Sequence, residues 1–254
     1  NFTLNKHSIG KIIECEKLVT EAYLRALKNF LKDHNQKKIR LIALHGQTIF
    51  HSSKLNSSLQ IFNKDKIVKE FNIPVINDFR QKDLLFGGEG APLVPIFHRL
   101  LINKLKIETP CCFINIGGIS NMTLLSDNKK IISYDVGPGM CLLDKFVYLK
   151  RKKLQDDHGL FSSKGNIDFQ ILTKLLKDKY FYKKFPKSLD RNYFSLNYVM
   201  DKNFYDGCAT LSAFTAFSLI RELKKYKIKK ILLSGGGVKN IFIFNLLKDE
   251  YGSK

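Results

Sequence analysis

The chain has 254 residues, 44% hydrophobic and 26% charged, enough for one large core or two modest ones and unlike a disordered or fibrous protein. Gly (16) and Pro (6) are too few for a collagen-like or proline-rich chain, no apolar run approaches the ~18 residues of a membrane span, and the polar, mixed first ten residues do not read as a signal peptide. Lys and Arg (43) exceed Asp and Glu (23) by 20 charges, which favours anionic partners, yet the lysines are scattered at element ends and the Phe residues fall in apolar runs, so the excess reads as solvated surface rather than a nucleic-acid patch.

Ile9, Ile12, Ile13, Val19, Tyr23, Leu27 and Phe30 fall on one face of a long helix. A buried strand is expected over 37–44, ending at His45-Gly46, then a short strand over 59–62, a helix over 64–71 and a strand over 73–76. After Gly87-Gly88-Glu89-Gly90 and Ala91-Pro92, an apolar helix is expected to about Leu105. In the second half, strands are expected over 111–116, 122–125 and 131–134, the last running into Asp135-Val136-Gly137-Pro138-Gly139. Helices over 141–150, 168–180 and 209–225 follow, then a strand over 231–233, Ser234-Gly235-Gly236-Gly237, and a helix to Leu247. Alternating strands and helices predict an α/β fold with sheets covered by helices. The polar stretch near 103–110 suggests two lobes, 1–108 and 109–254.

Four polar clusters stand at carboxyl ends of expected strands, where α/β sheets bind ligands. They are His45 to Thr48, Asp78 to Asp83, Asn115 to Asn121 with Asp135 to Gly139, and Ser234 to Gly237. Glycine turns let backbone N–H groups approach phosphate, although most such turns are only turns. Neither a P-loop nor a G-x-G-x-x-G fingerprint is present. By spacing alone, Asp135 reads equally as a proton acceptor and as the cap of its own turn. Asp78, Arg80 and Asp83 suit recognition of a polar sugar, with a surface ion-pair loop as the equal alternative. His98 reads as packing, and Thr210 as either a helix cap or a ligand contact. Five cysteines, an odd number without a C-x-x-C pair, point to a reducing cytoplasm; His45 and His51 lack metal spacing, so no protein-bound metal is expected.

Six strings occur together in order: His45-Gly46-Gln47-Thr48-Ile49; Asp78-Phe79-Arg80 to Asp83 with Gly87 to Pro95; Asn115 to Asn121; Asp135 to Gly139; Pro186-Lys187-Ser188; and Ser234 to Asn240. Together they resemble the anhydro-N-acetylmuramic acid kinases, sugar kinases of the actin/hexokinase/Hsp70-like ATPase superfamily. The resemblance implies a two-lobed, ribonuclease H-like α/β fold with mixed sheets, binding ATP with Mg²⁺ and a sugar between the lobes. It implies a cytoplasmic step of peptidoglycan recycling that hydrolytically opens 1,6-anhydro-N-acetylmuramic acid and phosphorylates it to N-acetylmuramic acid 6-phosphate. By position, Asp135 matches the catalytic base, and Gln47, Thr48, Asp78, Arg80 and Asp83 would face the sugar. Gly117, Gly118 and Ser120 would approach phosphate, and Gly235, Gly236 and Gly237 the adenosine. The implied partners are a small-molecule sugar and ATP, with a homodimer, and neither nucleic acid nor membrane.

Three departures accompany the resemblance. The family's opening glycine- and serine-rich phosphate hairpin and its closing helix with a Glu near the sugar do not occur in these 254 residues, which begin without Met. The chain is therefore expected to be a fragment lacking both termini, binding ATP poorly and turning over little by itself. Met140 stands where the family has Asn after Gly-Pro-Gly, and a thioether cannot donate the amide's hydrogen bond. The rival reading is a non-catalytic ATPase-fold protein that binds sugar or nucleotide without reaction. A basic nucleic-acid binder resting on charge alone is the third, and would show steep salt dependence.

Overall fold

The hydrophobic spacing near the start produces α1, Lys6–Lys32, in the computed structural model, which describes residues 6–128 and 130–252. Residues 1–5 of the polar opening stretch lie outside that description. Two units divide between Leu93 and Val94. The polar stretch had suggested a boundary at 108/109, but α4, Pro95–Leu105, packs its Ile102 with Cys111, Phe113 and Leu125 of the second unit.

In the first unit, α1 lays Val19, Tyr23, Leu24, Leu27 and Leu31 against Ile42, Phe62, Ile67, Phe71 and Ile73. The expected helix appears as α2, Lys64–Phe71, capped by Asn63, which accepts a 3.0 Å bond from the Lys66 N–H. The strand expected over 37–44 shrinks to β1, Ile42–Ala43, parallel to β4, Val75–Ile76. Asn35 caps a 3₁₀ turn over Gln36–Lys38, and a ladder bond back to residue 40 would need an N–H that Pro74 lacks. The strands β2, Gln47–Ser52, and β3, Ser57–Ile61, form an antiparallel hairpin. β2 escaped the sequence reading because Gln47, Ile49, Phe50 and His51 are all exposed, so no alternation marks it. A short α3, Gln81–Leu85, completes the unit.

The second unit is a four-stranded mixed sheet flanked by helices. β5 (Cys111–Ile116), β6 (Ile119–Leu125) and β7 (Ile131–Pro138) form an antiparallel meander, and β8 (Lys230–Ser234) joins parallel to β5. The order β7-β6-β5-β8, with both antiparallel and parallel pairs, is a mixed sheet as the resemblance implied. β7 outruns its expected end, so Asp135 lies within an edge strand rather than at a strand mouth. The register shifts opposite Ser120 and Asn121, leaving Val136 as a bulge beside Asp135, the kind of irregularity that re-aims neighbouring side chains.

Three helices follow the meander: α5 (Cys141–Arg151), α6 (Phe169–Leu176) and α7 (Phe204–Leu223), with α8 (Ile241–Tyr251) after β8. α6 stops early because Asp178 caps a separate 3₁₀ turn over Lys179–Tyr182. α7 starts five residues early because Asn203 accepts the Asp206 N–H at 3.0 Å. It is apolar on both sides, the signature of a central helix. Ala216, Leu219, Ile220 and Leu223 meet Ile114, Met122, Tyr134 and Val136 of the sheet. Leu211 and Phe214 meet Leu143, Phe146 and Ile171 on the other side. No helix of the described residues is long and apolar enough to cross a membrane.

Gly207 lies where α7 passes the Phe146 ring, and a Cβ there would strike that ring. Gly207→Ala is therefore expected to destabilise by about 1–3 kcal/mol, although Ala is the better helix former by ~1 kcal/mol. Equilibrium urea unfolding measures it; a more stable variant would contradict this packing.

Candidate functional site

Asp135 is half-buried on β7. Its backbone N–H donates to the Lys187 carbonyl at 3.1 Å, and its carbonyl accepts from the Tyr180 hydroxyl at 2.7 Å. The segment around Lys187 thus satisfies the open edge of β7. The carboxylate Oδ2 accepts from the Leu189 N–H at 2.8 Å, while Oδ1 takes no hydrogen bond among the described residues and is not sealed from solvent. Burial pushes the carboxyl above its usual range, and the Leu189 N–H and the Lys187 charge partly offset this. Met140 does not enter these bonds: its N–H donates to Gly117 at 2.8 Å and its side chain packs into the cores beside α7. Orientation of Asp135 comes instead from 187–189.

A separate hollow of about 360 Å³ in the same unit is lined by Gly117, Gly118, Gly236 and Gly237, with Met140, Asp144, Asp157, Lys239 and Asn240. The two glycine turns, one expected to approach phosphate and the other adenosine, both contribute to this lining. Gly237 needs to be glycine, since a Cβ would overlap Ile116; at Gly235, φ +90° and close approach to Ile116 impose the same demand. Gly235 does not line the hollow. Ser120 does not line it either, being fully buried with its hydroxyl donated to the Pro138 carbonyl at 3.1 Å.

Two polar side chains missed by the sequence reading border this hollow, each with one atom sealed from solvent and left without a partner. Asn240, 2% exposed, caps α8 through Oδ1, which accepts the Ile243 N–H at 3.1 Å, and leaves a buried Nδ2 without an acceptor. Asp144, on the first turn of α5, has a buried Oδ1 with no donor. Burial pushes its carboxyl up to about 6, against the pull of Arg191 and with the help of Asp156. Unpaired buried polar atoms cost free energy unless a partner arrives. Nothing local marks Asp144 in the sequence, whereas Asn240 closes the Ser234–Asn240 string. The backbone N–H groups of glycine turns around such a hollow suit a nucleotide's phosphates.

In the first unit, Gly46 adopts φ +76° at the start of β2. Arg80 bridges His45 and the loop ahead, its Nε donating to His45 Nε2 at 3.0 Å and a terminal nitrogen to the Gly90 carbonyl at 2.7 Å. Asp83 Oδ2 accepts the Gly90 N–H at 2.7 Å. Arg80 and Asp83 therefore hold the Gly87–Gly90 loop. Thr48 Oγ1 accepts from Gln60 at 3.3 Å. Gln47 donates only to the neighbouring Thr48 carbonyl, and Asp78, exposed at φ +60°, makes no side-chain bond among the described residues. The two readings made without chemistry also resolve: His98 stacks on Phe113 at 4.2 Å, and Thr210 accepts the Asp168 N–H at 3.0 Å from within α7.

A family model described as anhydro-N-acetylmuramic acid kinase matches residues 3–253. Among curated proteins, the anhydro-N-acetylmuramic acid kinase of Bradyrhizobium diazoefficiens is 35% identical over 96% of this chain and 68% of its own length. Those of Methylobacterium nodulans and Zymomonas mobilis are each 37% identical over 94% of this chain, covering 65% and 66% of their own lengths. The chain thus spans about two thirds of the length of these relatives.

Because Asp144 is pushed to about 6, the folded protein binds its proton more tightly than the unfolded chain. Its stabilising effect is complete below about pH 4 and is lost as pH rises through 6. Asp144→Asn is expected to stabilise the protein at pH 7.5 by on the order of 2 kcal/mol, with the difference vanishing near pH 4. Thermal unfolding across pH checks this; an equally destabilised variant at both pH values would contradict it.

Proposed function

The chain belongs to the anhydro-N-acetylmuramic acid kinase family, and from that membership we propose that it carries out ATP-dependent ring opening and phosphorylation of 1,6-anhydro-N-acetylmuramic acid, yielding N-acetylmuramic acid 6-phosphate for peptidoglycan recycling in the cytoplasm. The observation that carries the mechanism is the Asp135 carboxylate, held through one oxygen by the Leu189 N–H with the other uncommitted.

Asp135 accepts a proton from water, whose oxygen bonds to the anomeric carbon. The bond from that carbon to the sugar's O6 breaks, and O6 takes the γ-phosphoryl group as ADP departs. A base works best when its pKa lies near the working pH, and partial burial moves Asp135 in that direction. The Leu189 N–H keeps the carboxylate aimed while leaving Oδ1 for water.

The hollow between the glycine turns is the proposed ATP site, with Asn240 at its border. Mg²⁺ commonly takes one or two carboxylates and completes its shell with substrate phosphate and water. Asp144 borders the hollow, and its Oδ2 is neither hydrogen-bonded nor sealed from solvent among the described residues, so it fits that demand and would hold the ion. Bound there, Mg²⁺ supplies neutralisation of charge on the transferring phosphoryl group. For the sugar, Gln47 and Asp78 are proposed as direct contacts because their polar atoms are exposed and little engaged. Thr48, Arg80 and Asp83 shape the surface around them through Gln60, His45 and Gly90.

In the full-length protein, Asp135→Asn is expected to lower turnover on the order of 10³-fold while the sugar still binds within a few-fold of wild type. Steady-state kinetics and calorimetry read the two quantities; unchanged turnover would move the base to Asp78 or Asp83. Asn240→Asp keeps the α8 cap but puts a negative charge at the border of the hollow. Its expected effect is ATP binding about tenfold weaker in protein whose unfolding transition shows it folded, and unaltered ATP affinity would exclude Asn240 from the nucleotide site.

A further inference from the structure

Behind Asp135 lies a buried polar cluster that the proposed reaction leaves without a role. Glu222, on the last turn of α7, is 1% exposed and meets Lys187 Nζ at 3.2 Å. The Lys187 side chain is itself only 4% exposed and lies over the Tyr180 and Tyr134 rings, at 4.8 and 5.3 Å from their centroids. Lys225 reaches Glu222 from the more exposed side at 2.8 Å. The Tyr134 hydroxyl donates to Glu222 at 3.1 Å and meets the Tyr226 hydroxyl at 3.0 Å.

One carboxylate therefore holds both sides of Asp135. Tyr134 immediately precedes it on β7, and Lys187 belongs to the segment that pairs with it. Lys187 reaches in two directions: its ammonium goes to Glu222, and its carbonyl receives the Asp135 N–H. Two residues on, Leu189 donates to the Asp135 carboxylate. A buried ion pair contributes little net stability compared with apolar packing, but removing one partner leaves a costly lone charge. What such a pair determines well is the register of the segment that carries it.

We infer that Lys187 and Glu222 are positioning residues for Asp135, fixing the 187–189 segment so that the Leu189 N–H meets the carboxylate. The inference rests on the proposed role of Asp135 for its catalytic consequence, but not for its geometry. Lys187 is the charged group that acts on Asp135, and the Tyr180 phenol lies on its backbone side. Lys187 in turn faces Glu222, Lys225 and Arg221. Because the Lys187 charge lowers the Asp135 pKa, removing it raises that pKa, and a base that must be ionised then becomes protonated, and inactive, sooner as pH falls.

The test uses the full-length protein with Lys187→Met, Lys187→Arg and the apolar pair Lys187→Met/Glu222→Leu. Hydrogen exchange at the Leu189 amide reads the clamp without any turnover, and the acid limb of the kcat/KM profile reads the base. In Lys187→Met, Leu189 protection is expected to fall at least tenfold, with the acid limb about one pH unit higher and kcat lower by on the order of 10–100-fold at little change in sugar KM. Lys187→Arg should restore most of both. The double variant keeps the protein folded if the single one does not, and it should show the same exposed Leu189 amide. Unchanged Leu189 protection in the folded variants overturns the inference. A released Leu189 amide with an unmoved acid limb supports the clamp and removes Asp135 as the base.

Discussion

A carboxylate withdrawn from water rises in pKa unless donors hold its charge, and the site of this protein depends on how Asp135 resolves that opposition. It sits on an edge strand, where the backbone of a neighbouring segment is free to pair with it. That pairing brings a single amide, Leu189, to one carboxylate oxygen. More donors would drive the pKa down and remove the base; none would leave the carboxyl to rotate or stay protonated. The partial burial, the bulge at Val136 and the single amide all act on the same side chain.

The second constraint is α7, apolar toward both the sheet and the outer helices. Such a helix cannot slide without disrupting two cores, so a polar group planted near its end is fixed relative to the sheet. Glu222 is that group, and through Tyr134 and Lys187 it ties α7 to both sides of Asp135. The glycine turns of the same unit obey a related logic. Gly235 and Gly237 press against Ile116 so closely that side chains are excluded, and the hollow beside Gly117 and Gly118 opens as a result. Asp144 and Asn240 border it, each with one buried atom left without a partner.

Much of this was legible in the sequence, and the failures have physical causes. The apolar run of β5 and the capped pattern of α2 are local signals, and both elements appear at their expected bounds. The six strings located the glycine turns and Asp135 in family order. β1 was overdrawn because Pro74 immediately precedes its partner and cannot extend the ladder, a fact about another segment. β2 was missed because its side chains are exposed on both faces. Ser120, Arg80 and Asp83 look like ligand contacts in sequence, yet they spend their hydrogen bonds on Pro138, His45 and Gly90. The Lys187–Glu222 pair and the orphaned atoms of Asp144 and Asn240 arise from residues brought together by tertiary packing, which no periodicity records.

The most direct test of the account is a carbon-13 NMR titration of the Asp135 carboxyl in the wild-type protein, following the Leu189 amide signal in the same samples. The account predicts a midpoint above the ~3.9 of an ordinary aspartate, with the Leu189 amide moving at that same midpoint. A midpoint at or below the ordinary value, with a Leu189 amide indifferent to it, would contradict the account.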